Sequence, residues 1–479
     1  MGKYKSLISN MVIFGISTFS SKLLVFFLMP FYTRMLSPED FGAAMLVTTT
    51  CNLILPVMYL SISEAVIRFG LDNSYKKSDI YTTGLLCVFG GYLTLWCLRP
   101  LLLKVGTLLN VGVINEYLNL VYLYVIASAF RTVTSHFVRS LGMVRLFALD
   151  GIFTSVMTIV FNIIFLLRFE MGIAGYVLAT IAADSLSGIC IFLLVKLHRF
   201  IKPRSLSRKT IGAMLRYSLP LIPTNIFWWI TNASDQYFIT AMVGIDVNGL
   251  YTAAARVPAL ITAVSAFFIQ AWQISAFTEY RNKEGEAFYS TVFKSYYTFI
   301  FLSASGLILL ARPITRIYVD SQYYESWRFM PLLILAVSFS CLVTFLGTIY
   351  NAAKRNTMIT VTTALGAVAN LVLNYVLIQK HGAQGAAFAT FFSYMLVFLI
   401  RAVDTRKYMK IAMQPLRILM NLGLLLAQVR ISLADIKYGM LWQTLIFFLL
   451  LAGNFNYLLF MVRKLMGQIY MRKHKRPQL

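Results

Sequence analysis

Runs of roughly 20 apolar residues recur along this chain, each long enough to cross a bilayer. A backbone in hydrocarbon must bond its own N–H and C=O groups, so such runs read as membrane-spanning helices. Fourteen are legible, among them 43–63, 118–138, 173–195, 217–241, 250–272, 384–400 and 418–431. Charged residues make up 13% of the 479, against about 25% in soluble proteins. The expected fold is all-α and integral to the membrane, with about 14 transmembrane helices. The first run is too long for a signal-peptide core and should stay as the first span.

A net charge of +25 would suit a nucleic-acid binder, but its distribution argues otherwise. With the amino terminus in the cytoplasm, 30 of the 43 Lys and Arg fall in cytoplasmic segments and 10 in outer ones. That asymmetry is the positive-inside rule, and it puts both termini in the cytoplasm. Nucleic acid is therefore not an expected partner. The loop holding Lys196, Arg199, Lys202, Arg204, Arg208, Lys209 and Arg216 is basic enough to touch anionic lipid headgroups.

The chain also repeats itself. Gly172-Ile173-Ala174-Gly175-Tyr176-Val177-Leu178-Ala179-Thr180 returns as Gly382-Ala383-Gln384-Gly385-Ala386-Ala387-Phe388-Ala389-Thr390, 210 positions later. Met35 plus Gly42 returns as Met242 plus Gly249, and Arg99-Pro100 as Arg312-Pro313. Two six-span units follow: residues 1–200, and residues 217–405 after a basic cytoplasmic linker at 201–216. Six is even, so the second unit enters the membrane in the same orientation as the first, and the repeat is parallel. Two extra helices and a basic cytoplasmic tail fill 406–479. Two-fold repeats of this kind are typical of transporters.

A charge inside the bilayer is expensive and marks a candidate site. Lys22, Arg131, Asp184, Asp235 and Arg256 stand inside spans one, four, six, seven and eight. None is duplicated: the equivalent positions hold Trp229, Cys341, Tyr394, Leu28 and Thr49. Asp235 and Arg256 lie at similar depth and are expected to face each other, as an ion pair or across a cavity. Asp184 is expected to pair with a cation of its own half. Glu64 and Arg68 form an i, i+4 pair at the cytoplasmic end of span two, where Arg68 can also line the inner entrance. Trp228, Trp229, Trp272 and Gln273 are further cavity candidates near the seam. Prolines, including Pro56 and Pro258, concentrate in spans one, two, seven and eight, which favours bent helices lining a cavity.

No GxxxxGK[ST] loop, HExxH motif or Ser-His-Asp arrangement is legible, so an enzyme is not expected. The five cysteines form no CxxC pair, and neither a metal site nor a cofactor is implied.

The pattern resembles the MOP (multidrug/oligosaccharidyl-lipid/polysaccharide) exporter superfamily, which has a MATE-like fold. Within it the chain is similar to the polysaccharide transporter branch, the Wzx-type flippases of O-antigen and capsule repeat units. The residues that carry this are Ser20-Ser21-Lys22, the run Pro30-Phe31-Tyr32-Thr33-Arg34-Met35-Leu36-Ser37-Pro38-Glu39-Asp40-Phe41-Gly42, Glu64-Ala65-Val66-Ile67-Arg68-Phe69, Ser234-Asp235-Gln236-Tyr237, Gly249-Leu250-Tyr251 and Asn370-Leu371-Val372-Leu373-Asn374. The resemblance implies flipping of an undecaprenyl-diphosphate-linked oligosaccharide across the cytoplasmic membrane by alternating access. Its cationic central cavity would use Lys22, Arg68, Arg131 and Arg256. Asp235, Asp184 and Glu64 become coupling or ion-pair candidates, with an H+ or Na+ gradient as the driving force. Membrane lipids, a polysaccharide polymerase and glycosyltransferases are the partners it implies. An ion-coupled multidrug exporter and a lipid II flippase are the alternatives.

Overall fold

The computed structural model describes residues 26–455, apart from 73, 109–111, 204–205, 281–284, 354 and 435. Lys22 lies outside the described residues. Among those described, regular structure is helical throughout. The first lobe contains α1 Pro38–Met58, α2 Ile62–Gly70, α3 Lys77–Cys97, α4 Leu118–Ser140, α5 Val144–Asn162 and α6 Gly172–Leu194. The second contains α7 Leu221–Met242, α8 Ile245–Ala254, α9 Ala259–Glu279, α10 Gly285–Leu309, α11 Met330–Ala352, α12 Asn356–His381 and α13 Ala383–Asp404. Helices α14 Pro415–Leu433 and α15 Gly439–Phe455 follow.

Among the described residues nine helices are long and apolar enough to cross a membrane, and the bent pair α8–α9 makes a tenth. Helices α4 and α7 have the length, at 23 and 22 residues, but not the apolarity. They carry Arg131 and His136, and Asn225, Asn232 and Asp235. The two spans least like lipid-facing helices thus bring polar chemistry into the interior.

The repeated glycine phrase has a backbone reason. Gly172 and Gly382 have φ of +52° and +57°; Gly172 is the first residue of α6, and Gly382 is the single residue between α12 and α13. A left-handed residue turns the chain sharply there, and glycine takes it without a Cβ clash. Gly385 then lies so close to α12 that a Cβ would sit 2.2 Å from the Leu377 carbonyl oxygen.

Two hydrophobic cores match the two lobes. One is built from residues between Val47 and Met214. The other runs from Ile239 to Leu450, but it also takes in Leu28, Met29, Tyr32, Leu36 and Phe41. The stretch just before α1 therefore packs with the second lobe. The Tyr318 hydroxyl donates to the Phe26 carbonyl (2.5 Å) and the Tyr323 hydroxyl to that of Leu36 (2.9 Å).

The eighth span, expected as one run over 250–272, is broken. Its halves α8 and α9 meet at 46°, and the break holds Arg256 and Pro258. Proline removes a backbone donor and bends the axis. In the first lobe the equivalent stretch, around Thr49, lies within the unbroken helix α1.

Candidate functional site

Helix α1 forms the seam with the second lobe. Along it, the Thr49 hydroxyl donates to Gln236 Oε1 (3.1 Å), the Thr50 and Tyr237 hydroxyls bond at 2.5 Å, and Trp229 Nε1 donates to the Thr49 carbonyl (3.0 Å). At one end Asn225 Nδ2 reaches Ser61 Oγ (3.2 Å). At the other, the repeat meets itself. A Cβ on Gly42 would lie 2.1 Å from the Ile245 carbonyl oxygen, and one on Gly249 would lie 1.9 Å from that of Pro38. Pro38 and Gly42 stand in the same relation to each other as Ile245 and Gly249. The contact is therefore reciprocal, as across a two-fold axis.

Arg256 sits in the broken span and faces this seam. Its Nη2 lies 3.1 Å from Met45 Sδ on α1, and Tyr32, Tyr176 and Tyr318 are in its electrostatic surroundings. Among the described residues no carboxylate pairs with it. Arg256 is half-buried, and a partly desolvated cation without a counter-charge is costly. Breaking the helix there brings the residue to the boundary between the lobes.

Asp235 does not face Arg256, contrary to expectation. It points into the second lobe and is 4% exposed. Its carboxylate accepts from the Tyr251 hydroxyl (2.7 Å), the Thr390 hydroxyl (2.6 Å) and Asn374 Nδ2 (2.8 Å). Asn370 Oδ1 accepts from Ser234 (3.0 Å) and from Asn374 (3.1 Å). Three short bonds from neutral donors stabilise the carboxylate, which drew it away from the arginine. Asn374 Oδ1 is buried and, among the described residues, has no hydrogen-bond partner. The centre thus combines one negative charge, several neutral oxygens and an orphaned acceptor. That donor set suits a proton or a hard monovalent cation.

Arg131 belongs to a third cluster, inside the first lobe. Its guanidinium bonds Asp150 on α5 (3.0 Å) and Asp184 on α6 (3.4 Å). Ser135 donates to Asp150 (2.7 Å), Ser187 also bonds Asp150, and Ser128 bonds Asp184. One cation thus answers two buried carboxylates and ties three helices. Asp150 was not singled out in the sequence, because it stands near the predicted start of its span.

Glu64 and Arg68 make no ion pair: both are exposed, and Arg68 instead lies over the Tyr217 ring at 4.6 Å. Trp272 is 4% exposed and stacks on Phe345 in the second core, and its Nε1 donates to the Thr348 hydroxyl (3.0 Å). Trp228 and Gln273 line a cavity of about 240 Å³ between α7, α9, α11, α12 and α13. Arg401 lines it too. The apolar run that ended at residue 400 had put Arg401 in a cytoplasmic loop; α13 carries on to Asp404 and buries it.

Comparisons with known proteins agree with this architecture. The profile of the polysaccharide biosynthesis protein family matches residues 7–273. No curated protein sequence is a match. The lipid II flippase MurJ, in an inward closed conformation, superimposes with a TM-score of 0.70 at 16% identity, covering 95% of this chain and 100% of that one. An inward-facing multidrug resistance MATE family transporter gives 0.64 at 14% identity, over 83% of this chain and 95% of its own. A MOP superfamily transporter from Pyrococcus furiosus, described as having a binding pocket of reverse polarity, gives 0.58 at 15% over 83% and 95%. With two packed lobes, a seam along α1 and a profile match over more than half its length, the chain belongs to the polysaccharide biosynthesis protein family and is a MATE-like polysaccharide transporter of the MOP superfamily.

Proposed function

We propose that this protein flips an undecaprenyl-diphosphate-linked oligosaccharide across the cytoplasmic membrane, by alternating access between its lobes. Arg256 carries the reading. It has no acidic partner among the described residues and stands on a broken helix at the lobe boundary, where a diphosphate moving between the lobes would meet it. Away from bulk water a guanidinium binds such an oxyanion strongly, through bidentate charge-assisted bonds. Lys22, a charge within the first apolar run of the sequence, is the second cation candidate in this reading. Arg131, already balanced by two carboxylates, serves as scaffold in this account.

Asp235 is the coupling group. Uptake of H+ or Na+ neutralises the acid and satisfies the orphaned oxygen of Asn374, and the helices it joins include α8, which touches α1 across the seam. Binding at Asp235 thereby bears on whether the lobes stay closed.

The test is Arg256→Ala in the native host. A charged hydrogen bond contributes about 1.5–3 kcal/mol, so surface polysaccharide should fall roughly 10- to 150-fold at normal protein level. Lys22→Ala should act in the same direction. Full export by both variants would overturn the cationic cavity. Lipid II flipping is the second reading, favoured by the wider reach of the MurJ likeness, which covers 95% of this chain against 83% for the MATE likeness. Rescue of cells depleted of their lipid II flippase would select it.

A further inference from the structure

The cavity inside the second lobe is separate from Arg256 and has its own chemistry. Arg401 is 4% exposed and, among the described residues, has no acidic partner. Its guanidinium donates from Nε to the Thr362 hydroxyl (3.0 Å), from Nη1 to the Val343 carbonyl (2.9 Å), and from Nη2 to the Thr363 hydroxyl (3.2 Å) and the Ile359 carbonyl (3.4 Å). Of its five donors, these bonds leave one N–H on Nη1. Gly347 keeps that side clear, since a Cβ there would lie 2.9 Å from Nη1. A neutral glutamine could tie the same helices without burying a charge. A buried cation without a counter-charge calls for an anion from elsewhere.

The rest of the lining says what kind of anion. Trp228 and Tyr394 supply aromatic faces, and Asn232, Gln273 and Asn351 supply amides. Amphipathic rings beside side chains that both donate and accept match a sugar, with its apolar C–H faces and ring of hydroxyls. The volume of about 240 Å³ falls below the roughly 300–1,000 Å³ of drug-sized sites, which limits the occupant to about one ring. Trp228 is 64% exposed, leaving an apolar face free.

We infer that this cavity is a subsite for one carboxylated sugar of the transported oligosaccharide, with Arg401 receiving the carboxylate. The inference rests on the flippase reading and adds a selectivity to it: repeat units with an acidic sugar are held at two points, diphosphate at Arg256 and carboxylate at Arg401. The subsite also touches the coupling centre. Helix α7 carries Asn232 and Asp235, α13 carries Tyr394 and Thr390, and the Tyr394 hydroxyl donates to Asn232 (2.7 Å).

The test uses the full-length protein in lipid nanodiscs, with glucuronate, galacturonate and N-acetylneuraminate at about 100 mM as probes. Glucose, inorganic phosphate and pyrophosphate are the comparators. At least one of the acids should raise the thermal midpoint by about 1 °C or more, and glucose by less. Arg401→Gln should abolish the shift. Because that change also alters a helix tie, Trp228→Ala, which removes an exposed ring, must weaken the shift independently. No response to any of the acids, an equal response to glucose, or an Arg401-dependent response to phosphate alone would overturn the subsite. Pyrophosphate reports on Arg256: a pyrophosphate shift that survives in Arg401→Gln and is lost in Arg256→Ala supports the flippase cavity whatever the acids do, and its absence counts against that cavity alone.

Discussion

Valine at Gly249 should jam the contact where the repeat meets itself. Pro38 and Ile245 follow spans one and seven, so on the topology expected from the positive-inside rule this contact is the outer end of the seam. A Cβ on Gly249 would sit 1.9 Å from the Pro38 carbonyl oxygen, and ordinary contact begins at 3.4 Å. Helices α1 and α8 must therefore separate by about 1.5 Å before either valine methyl is placed. Backbone cannot yield as a side-chain tip does. Overpacking of this kind costs about 1–3 kcal/mol. The cost falls on the outer-closed state, so the closed-to-open ratio drops roughly 5- to 150-fold. The assay places a cysteine at Thr49, on the seam two turns further along α1, in a variant lacking the five native cysteines. Labelling by an impermeant maleimide from outside should accelerate at least about fivefold in Gly249→Val. Surface polysaccharide should be lost at normal protein level, and Gly42→Val should behave alike because the contact is reciprocal. Unchanged labelling together with full export would refute the view that this glycine pair forms the outer closure.

Arg131→Met should leave Asp150 and Asp184 buried without a cation and lower stability by about 3–5 kcal/mol, read as a fall in the thermal midpoint. Adding Asp150→Asn should recover part of that loss, and no recovery would refute the charge-balance account. Asp235→Asn keeps the shape of its centre but not the charge: export should fall to the level seen when the ion gradients are collapsed, while Arg256-dependent pyrophosphate binding persists. Export by Asp235→Asn that still responds fully to the gradient would remove Asp235 from coupling. Gly382→Val places a branched side chain at φ +57°, a conformation costing about 1–3 kcal/mol. It should reduce folded protein in the membrane more than Gly423→Val, which a Cβ would leave in open space.

Much of the architecture could be read from residue patterns because hydrocarbon allows so few backbone solutions. The shortest of the named runs, 418–431, is a helix from Pro415 to Leu433, and the glycine phrase marks matching turns in both lobes. Pro258 signalled a bend, though not that Arg256 would occupy the break. The partners of buried charges were less legible. Asp235 and Arg256 share a depth, but depth carries no azimuth. Neutral donors from α8, α12 and α13, up to 155 residues away in sequence, took the carboxylate instead. Arg401 was lost by a single residue: a hydropathy run stops at the first charge, whereas a helix stops only when its backbone does.

Flipping itself is the most direct measurement. Purified protein in liposomes, given lipid-linked oligosaccharide from the host's own envelope, should move the glycan from one leaflet to the other, read as its accessibility to an impermeant glycosidase. The account predicts transfer well above protein-free liposomes, slowed at least about tenfold by Arg256→Ala. Transfer no faster than in empty liposomes, or equally fast with alanine at 256, would contradict it.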